Sequence, residues 1–332
     1  MYLKDGCSMD DLAQRQQVRS RSGWGRRFVL HAILIFFAFV AIVPLYWALA
    51  SSFMTLGETI NRRWFPDVSK MVWVNPQWTT ADGTTYTVPV PIHANYFEAW
   101  ERGRFERYFL NSVIITFLTI VGMLLTSIPA AYAFAKIKFL GRDVLFSILL
   151  ITLMVPESIT LIPNFRIIRG DVLPLPLINT SAPYFELGGV SWVNKLPALT
   201  VPFIASAFSI FLLRQFFTTI PDELWEAARM DGAGHLRFLI QIATPIARPA
   251  ITTVSLLTFI GSWNAFLWPL VVTTEERWRP IMVGLDAFMQ DAGPELHLLM
   301  AGSMFAIVPI LVVYFFTQKT FTEGVATSGL KG

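Results

Sequence analysis

Six long apolar stretches, each nearly free of charged residues, dominate this chain of 332 residues. They cover residues 28–49, 109–135, 144–163, 196–217, 250–273 and 298–317. A helix of about 20 apolar residues crosses the roughly 30 Å hydrocarbon core of a bilayer. Only 15% of the residues are charged, against roughly 25% in soluble domains. We therefore expect an all-α membrane protein with six transmembrane helices, and the composition argues against a water-soluble enzyme.

Basic residues near the ends of these stretches predict the orientation of the chain, because cytoplasmic flanks are enriched in Lys and Arg. Such residues precede the first stretch and crowd the loop between the second and third: Arg19, Arg21, Arg26, Arg27, Lys136, Lys138 and Arg142. Both termini are therefore expected in the cytoplasm. The predicted parts are a cytoplasmic tail (1–27), a first transmembrane helix (28–49), an external loop (50–108), a core of five transmembrane helices (109–318) and a cytoplasmic tail (319–332).

Two external inserts carry signals of their own. Residues 73–91 alternate β-branched residues around Asp82-Gly83, which is typical of a β-hairpin. Residues 171–195 contain three prolines and Gly188-Gly189, which predict a loop with room for one short strand.

The first apolar stretch has a second interpretation. Ala48-Leu49-Ala50 resembles a signal-peptidase site after an apolar run. The 27 residues before the run and the 22 residues of the run exceed an ordinary signal peptide. We therefore expect an uncleaved membrane anchor.

The sequence lacks the residue patterns of several kinds of catalytic and metal-binding site. No Gly-Lys dipeptide occurs, so the chain has no phosphate-binding P-loop, and Cys7 is the only cysteine. The histidines are far apart and show no metal-ligand spacing: His31, His93, His235 and His297. We expect no catalytic residues, no metal site and no cofactor in this chain. Its small net charge of +3, without a basic run, also argues against a nucleic-acid partner.

Glu157 is the one clear carboxylate inside a predicted span, next to the helix-breaking Pro156. Intramembrane carboxylates mark proton or ion pathways by default, which would suit an autonomous secondary transporter of a small solute. The alternative is a carboxylate that faces a cavity or the interface near the external end of its span. The residues alone leave both open, together with a membrane-embedded scaffold or enzyme.

The predicted cytoplasmic loop at residues 214–249 has the pattern of a short helix, 221–232. Thr219 is a candidate cap and Pro221 suits the first turn, while Gly232 ends the pattern. Acidic residues suit the positive N-terminal end of the helix: Asp222 and Glu223. A second helical stretch is expected at 236–243.

Small residues give this helix little side-chain bulk, so another backbone can approach closely: Ala227, Ala228 and Gly232. Leu224 and Met230 are apolar residues that can fill a partner's groove, and Glu226 can accept hydrogen bonds at its edge. The alternative is a short amphipathic helix at the membrane interface. Physical reasoning alone does not separate the two.

The spacing in this loop resembles a family motif. Glu226-Ala227-Ala228, three residues, Gly232, nine residues and then 242–245 (IATP) resemble EAA-x3-G-x9-I-x-L-P of permease subunits in binding-protein-dependent ABC importers, with Thr244 where leucine is usual. Further segments are similar to the second permease of maltose and glycerol-phosphate-type carbohydrate importers: 95–96 (NY), 108–112 (YFLNS), 228–233 (ARMDGA), 262–264 (SWN), 266–269 (FLWP), 299–302 (LMAG) and 329–332 (GLKG). The inserts at 70–92 and 171–195 are longer than this resemblance leads us to expect.

This resemblance implies the type I permease fold of ABC importers, in a bacterial inner membrane, and a role in importing a sugar or related polyol. The chain would form half of the translocation pathway and have no enzymatic activity of its own. Its implied partners are a second permease, ATPase subunits that bind ATP and Mg²⁺, and an external solute-binding protein. The implied contacts of the helix that couples it to the ATPase are Glu226, Ala227, Ala228, Arg229, Asp231 and Gly232.

Candidate residues of the substrate pathway are polar or aromatic groups in the spans: Asn264, Ser262, Trp263 and Asn111. Ser112, Thr160 and Asn164 are further polar groups near span ends. Hydroxyl, amide and aromatic groups together suit sugar recognition by hydrogen bonds and stacking. Polar residues in spans also bond to neighbouring helices, so each has packing as its alternative role.

Overall fold

A computed structural model describes residues 9–61, 63–66, 77–79, 85–87, 94–170, 191–290 and 295–329. Side chains are described for 27–61, 63–66, 95–170, 191–289 and 295–318. The chain divides into two compact units, residues 1–93 and 94–332. Most of the expected loop at 171–195 lies outside the described residues.

The first unit contains two helices and two strands. Helix α1 (Met9–Ser52) includes the apolar segment Arg27–Ser52, and α2 (Leu56–Ile60) follows it. Strands β1 (Gln77–Thr79) and β2 (Thr85–Thr87) pair antiparallel, with Trp78 opposite Tyr86. The strands lie inside the segment with the hairpin pattern. Its location outside the membrane stays a prediction.

The second unit is helical throughout its described residues. Its α-helices are α3 (Ala94–Arg102), α4 (Phe105–Lys136), α5 (Arg142–Thr152), α6 (Glu157–Arg169), α7 (Leu196–Thr200), α8 (Ala207–Thr218), α9 (Asp222–Met230), α10 (His235–Phe238), α11 (Thr244–Ile246), α12 (Arg248–Trp263), α13 (Leu267–Val272), α14 (Ile281–Gln290) and α15 (Leu296–Gly329). Short 3-10 helices lie at Val201–Phe203 and Glu276–Trp278, and a π-helix lies at Leu239–Ala243.

Four segments of the described chain are long and apolar enough to cross a membrane: Arg27–Ser52, Phe105–Lys136, Leu196–Thr218 and Leu296–Gln318. Two helix pairs reach that length only when taken together. The pair Arg142–Thr152 and Glu157–Arg169 bends by 99°, and His235–Ile246 and Arg248–Trp263 bend by 80°. The described residues thus hold four candidate spans, or six if each bent pair is one span.

Proline interrupts two of the stretches that the sequence analysis treated as single spans. The stretch at 144–163 breaks before Glu157, because Pro156 adopts an extended ψ of 135° and cannot continue the preceding helix. The stretch at 250–273 breaks between Trp263 and Leu267. Pro269 has no N–H to donate to the carbonyl of residue 265, which favours a break at this point.

Helix α4 contacts all three apolar clusters of the second unit. Its Tyr132 belongs to a cluster with Phe217 and Phe238, and Phe105 belongs to one with Trp263. The third cluster forms around α7 and α13 and includes Ile115 of α4. One continuous helix of 32 residues therefore connects the two ends of the unit.

Candidate coupling helix and transmembrane cavity

Helix α9 lies where the sequence pattern placed a short helix, and its C-terminal end explains Gly232. The Gly232 N–H donates to Arg229 O at 3.0 Å, and the Ala233 N–H donates to Ala228 O at 2.9 Å. These two bonds form a Schellman motif, which requires the left-handed φ of 77° seen at Gly232. A Cβ at Gly232 would meet no atom within 4 Å. The glycine therefore serves backbone conformation rather than close packing within the chain.

The N-terminal end of α9 differs from the expected cap. Pro221 is the N-cap residue, with φ −58° and ψ 139°, and Asp222 and Glu223 occupy the first turn. Thr219 is not the cap, because its hydroxyl donates to Phe216 O at 2.8 Å in the preceding helix. The acidic first turn still matches the positive end of the helix dipole.

One face of α9 packs onto α10, which in turn contacts the end of α4. The Trp225 ring stacks on the His235 ring, with centroids 4.2 Å apart and planes 12° from parallel, and meets the Phe238 ring edge-on at 5.2 Å. His235 Nδ1 lies 3.0 Å from the Tyr132 hydroxyl of α4. Ala228 is buried in the same cluster. Aromatic stacking and one polar contact thus attach α9 to α4.

Lys136 makes a second attachment at the last turn of α4. Its Nζ donates to Ile220 O at 2.5 Å and to Asp222 Oδ1 at 2.6 Å. The Lys136 side chain is only 10% exposed. The hydrogen bond and positive charge of Lys136 lower the pKa of Asp222 below its usual range, with a smaller contribution from Lys138.

The opposite face of α9 is exposed. Met230 is 88% exposed and Leu224 40% exposed. Five of the six residues in the implied coupling set share this exposure: Glu226, Ala227, Arg229, Asp231 and Gly232. Ala228 is the exception because it packs into the protein's own core. The helix therefore has one face fixed to α4 and one face available to a partner.

A cavity of about 680 Å³ lies between α4, α6, α8 and the break after α12. Its wall includes Ser112, Thr119, Glu157, Asn164, Ser262 and Asn264. Both proline-associated breaks open onto it, since Glu157 begins α6 and Asn264 follows α12. The aromatic residues Phe203, Phe266 and Trp268 line another part of it. The mixture of apolar walls and few polar groups is typical of sites for small organic molecules.

Two polar groups of the wall have no protein partner. The Thr119 side chain is 2% exposed, and its hydroxyl accepts or donates no hydrogen bond among the described residues. The structure also gives the Asn264 side-chain amide, at an exposed position, no hydrogen bond to any described group. By contrast, the Ser112 hydroxyl accepts from Ile281 N at 2.8 Å. The Thr119 oxygen is fully buried and does not face the cavity, whereas the exposed Asn264 amide can bond to a guest there, water or solute.

Asn111 and Trp263, the other two candidate pathway residues, lie outside this cavity. Asn111 Nδ2 donates to Arg277 O and Arg279 O, each at 3.0 Å. Trp263 is 1% exposed and donates from its indole nitrogen to Ala306 O at 2.9 Å. Both side chains fix neighbouring segments, so we assign them packing roles.

Thr119 was missed by the sequence analysis, although a signal was present. Ser112, Thr116 and Thr119 recur at four- and three-residue spacing along an otherwise apolar helix. This spacing places three hydroxyls on one helix face. The Ser262 hydroxyl donates to Thr116 Oγ1 at 3.3 Å, which brings the face against α12.

Residues 122–326 match the family described as the inner-membrane component of binding-protein-dependent transport systems. The chain belongs to this family. The similarity to several relatives extends over most of this permease and most of each relative. It is 29% identical to a permease protein of the diacetylchitobiose uptake system of Streptomyces coelicolor, over 93% of this chain and 91% of that protein. It is 30% identical to an sn-glycerol-3-phosphate transport permease of Agrobacterium fabrum, over 90% and 95%.

A third relative is the arabinooligosaccharide transport permease of Halalkalibacterium halodurans, 30% identical over 90% of this permease and 94% of that protein. The fold is similar to a chain of a bacterial ABC transporter that imports the acidic polysaccharide alginate. That chain has a TM-score of 0.68 and 24% identity over 91% of this permease and 98% of its own length. The permease is therefore a multi-pass membrane transport subunit of an ABC importer.

Proposed function

We propose that this permease is one of two membrane subunits of an ATP-driven importer for a sugar or related polyol. The named solutes of its relatives support this class: diacetylchitobiose, arabinooligosaccharides and glycerol phosphate. The second subunit would complete the translocation pathway. An external solute-binding protein would deliver the solute to residues 50–108 and the other external segments, including the hairpin region at 73–91. Both termini would lie in the cytoplasm of a bacterial cell, with the chain in the inner membrane.

Helix α9 is the proposed contact with the ATPase subunit. Its exposed face carries Leu224 and Met230, which fit an apolar groove, with Glu226 and Arg229 at the sides. ATP and Mg²⁺ would be bound by that subunit, since this chain has no P-loop. A partner shifts a conformational equilibrium only by binding its two states differently. Because α9 is attached to α4, a change in how the ATPase subunit binds α9 would change the packing of the membrane spans.

The cavity is the proposed part of the pathway that this chain contributes. Asn264 presents an exposed amide, and Ser262 lines the same wall. Saccharide hydroxyls both donate and accept, so they can satisfy an amide and a hydroxyl together. Phe266 offers an aromatic surface for the apolar face of a sugar ring.

The observation that carries the proposal is the two-faced helix α9, so the test targets its exposed face. The tagged permease is extracted gently from its native membrane, and the co-purifying proteins and their ATP hydrolysis are measured. We expect a P-loop ATPase to accompany the wild type. Ala227→Trp, which adds bulk to the exposed face, should lose both the ATPase and ATP-driven uptake.

The matched control is Leu140→Trp, which adds the same side chain at a fully exposed position outside α9. This variant should keep the ATPase. Recovery of an ATPase-free protein that still moves solute would instead establish an autonomous secondary transporter. Retention of the ATPase by Ala227→Trp would remove α9 from the interface.

A further inference from the structure

The cavity wall is almost uncharged. Glu157 is the single charged residue among the described residues that line it. The remaining polar contributors are hydroxyls and amides, and no lysine, arginine or histidine of the described chain lies on the wall. Glu157 is exposed and lines the cavity, so its charge lies beside the space that a solute would enter.

Helix N-termini are the usual uncharged binding sites for anions, and three helices of suitable length begin at this cavity: α6, α8 and α14. The first turn of α6 already contains the Glu157 carboxylate. At the start of α8, the Ser206 hydroxyl accepts from Ser209 N at 3.2 Å, and at the start of α14 the Ser112 hydroxyl accepts from Ile281 N at 2.8 Å. Groups of the chain therefore occupy all three helix ends, and none of these ends compensates the charge of a phosphate or a carboxylate of a solute.

Glu157 would repel a negatively charged solute, and none of the described residues of this wall carries a positive charge that would compensate. A carboxylate in a partly apolar cavity acts on another charge more strongly than in water, because the effective dielectric constant is lower. Uncharged saccharides avoid this cost and can still form hydrogen bonds with the Asn264 amide. Among the relatives, named solutes include both neutral and negatively charged ones, so the family by itself does not decide the charge.

We propose that the cavity of this permease selects uncharged saccharides and excludes phosphorylated and uronate-bearing ones, with Glu157 as the residue that determines selectivity. The proposal rests on the cavity being the solute pathway. It concerns the charge of the solute and does not depend on how α9 meets the ATPase.

The electrostatic part can be measured without knowing the solute. Cys7 is the only cysteine, so Cys7→Ser gives a cysteine-free chain. Ala205→Cys then places one thiol at an exposed position on the cavity wall. The complete transporter in native membranes is treated with a cationic and an anionic methanethiosulfonate reagent of similar size. We expect the cationic reagent to react faster by about tenfold after correction for its reactivity with a free thiol.

Substitutions at Glu157 test the source of that preference. Glu157→Gln should reduce the corrected rate ratio to near one, and Glu157→Lys should invert it, while Glu157→Asp should preserve it. Glu101→Gln removes a carboxylate that does not line the cavity and should leave the ratio unchanged. A ratio near one in the wild type, or a ratio that Glu157→Gln leaves unchanged, would overturn the proposal.

Transport supplies the second measurement. In cells that carry the importer, ATP-driven uptake of a neutral disaccharide such as diacetylchitobiose is compared with uptake of sn-glycerol-3-phosphate and an alginate oligosaccharide. A preferred substrate that is negatively charged would refute the selectivity proposal yet leave an ATP-driven importer in place. Solute movement that is independent of ATP would refute the proposed function itself, so the two failures are distinguishable.

Discussion

The last turns and the middle of α4 differ in how their polar groups are paired. Near Lys136, the polar groups are paired inside the chain: Lys136 with Asp222, and Tyr132 with His235. Along the cavity wall in the middle of the helix, the Thr119 hydroxyl has no partner among the described residues. The first region resembles a fixed joint, and the second lines a cavity.

This difference fits the proposed roles of the two regions. A helix that passes on movement must keep its attachments in every state, so its polar contacts are best satisfied within the chain. A pathway must bind a solute and release it, so its polar groups are satisfied only temporarily. Substitutions in the two regions should therefore separate coupling from recognition.

The largest effect is expected at Gly232. Its φ of 77° costs a residue with a Cβ about 1–2 kcal/mol, whereas asparagine tolerates this conformation better. Gly232→Ala should lower ATP-driven uptake about tenfold, by that energy scale, and Gly232→Asn should lower it less. Uptake is measured at matched membrane levels of the permease. If Asn proves more damaging than Ala, the glycine is needed for close approach of a partner rather than for its backbone.

Removal of the Trp225 ring should weaken the joint with α4. Trp225→Ala loses two aromatic contacts, each of about 0.5–1.5 kcal/mol beyond area burial. We expect ATP hydrolysis to continue while solute uptake per ATP falls severalfold. Trp225→Phe retains a ring and serves as the control. Equal losses of hydrolysis and uptake would mean that Trp225 supports ATPase binding instead.

Thr119→Val should raise stability and leave recognition unchanged. The unpaired buried hydroxyl is replaced by a methyl group of similar shape, which should stabilise the permease by about 1 kcal/mol. The KM for uptake should stay near the wild-type value, because the buried hydroxyl does not reach a solute in the cavity; a rise of about fivefold would show that the hydroxyl binds solute. Thermal unfolding of the purified complex and uptake kinetics give the two values. Ser112→Ala, which removes a hydroxyl bonded to Ile281 N, should lower stability.

The smallest effect is expected for the ion pair between the mostly buried Lys136 and the exposed Asp222. Because the folded pKa of Asp222 is lowered, its stabilising contribution is present above the ordinary carboxyl pKa and is lost as pH falls through the lowered value. The contribution of this pair should thus not change with pH near neutrality. Lys136→Met should return the Asp222 pKa toward its usual range, and Lys138→Met should move it less. Infrared titration of isotopically labelled aspartate checks both shifts, and an unchanged pKa in Lys136→Met would contradict the assigned cause.

Some of the fold was predictable because it depends on local pattern. The apolar stretches marked the positions of the membrane-crossing helices, and Gly232 marked the end of α9. The breaks at Pro156 and before Pro269 were harder to predict, because proline is tolerated inside other helices of this chain, such as Pro129 in α4 and Pro309 in α15. Whether proline bends or ends a helix depends on what the neighbouring helices supply.

Local sequence pattern also failed to separate the candidate pathway residues from packing residues. Asn264 and Trp263 are adjacent in sequence, yet Asn264 lines the cavity and Trp263 is enclosed in an apolar cluster. An amide and an indole ring are both suited to binding sugars, so residue type alone made both of them candidates. Only the direction of each side chain at the end of α12 separated them.

The sequence by itself determined that this chain is a membrane permease with a short helix that carries the family's motif spacing. Apolar length, the missing P-loop and motif spacing are all properties of the chain read in order. The tertiary structure alone decided which face of α9 is exposed, which polar groups lack partners and where Glu157 lies. Those features depend on contacts between residues far apart in sequence, such as Tyr132 with His235 and Ser112 with Ile281. Hydrogen-bond satisfaction and cavity lining are properties of such contacts, and no local pattern encodes them.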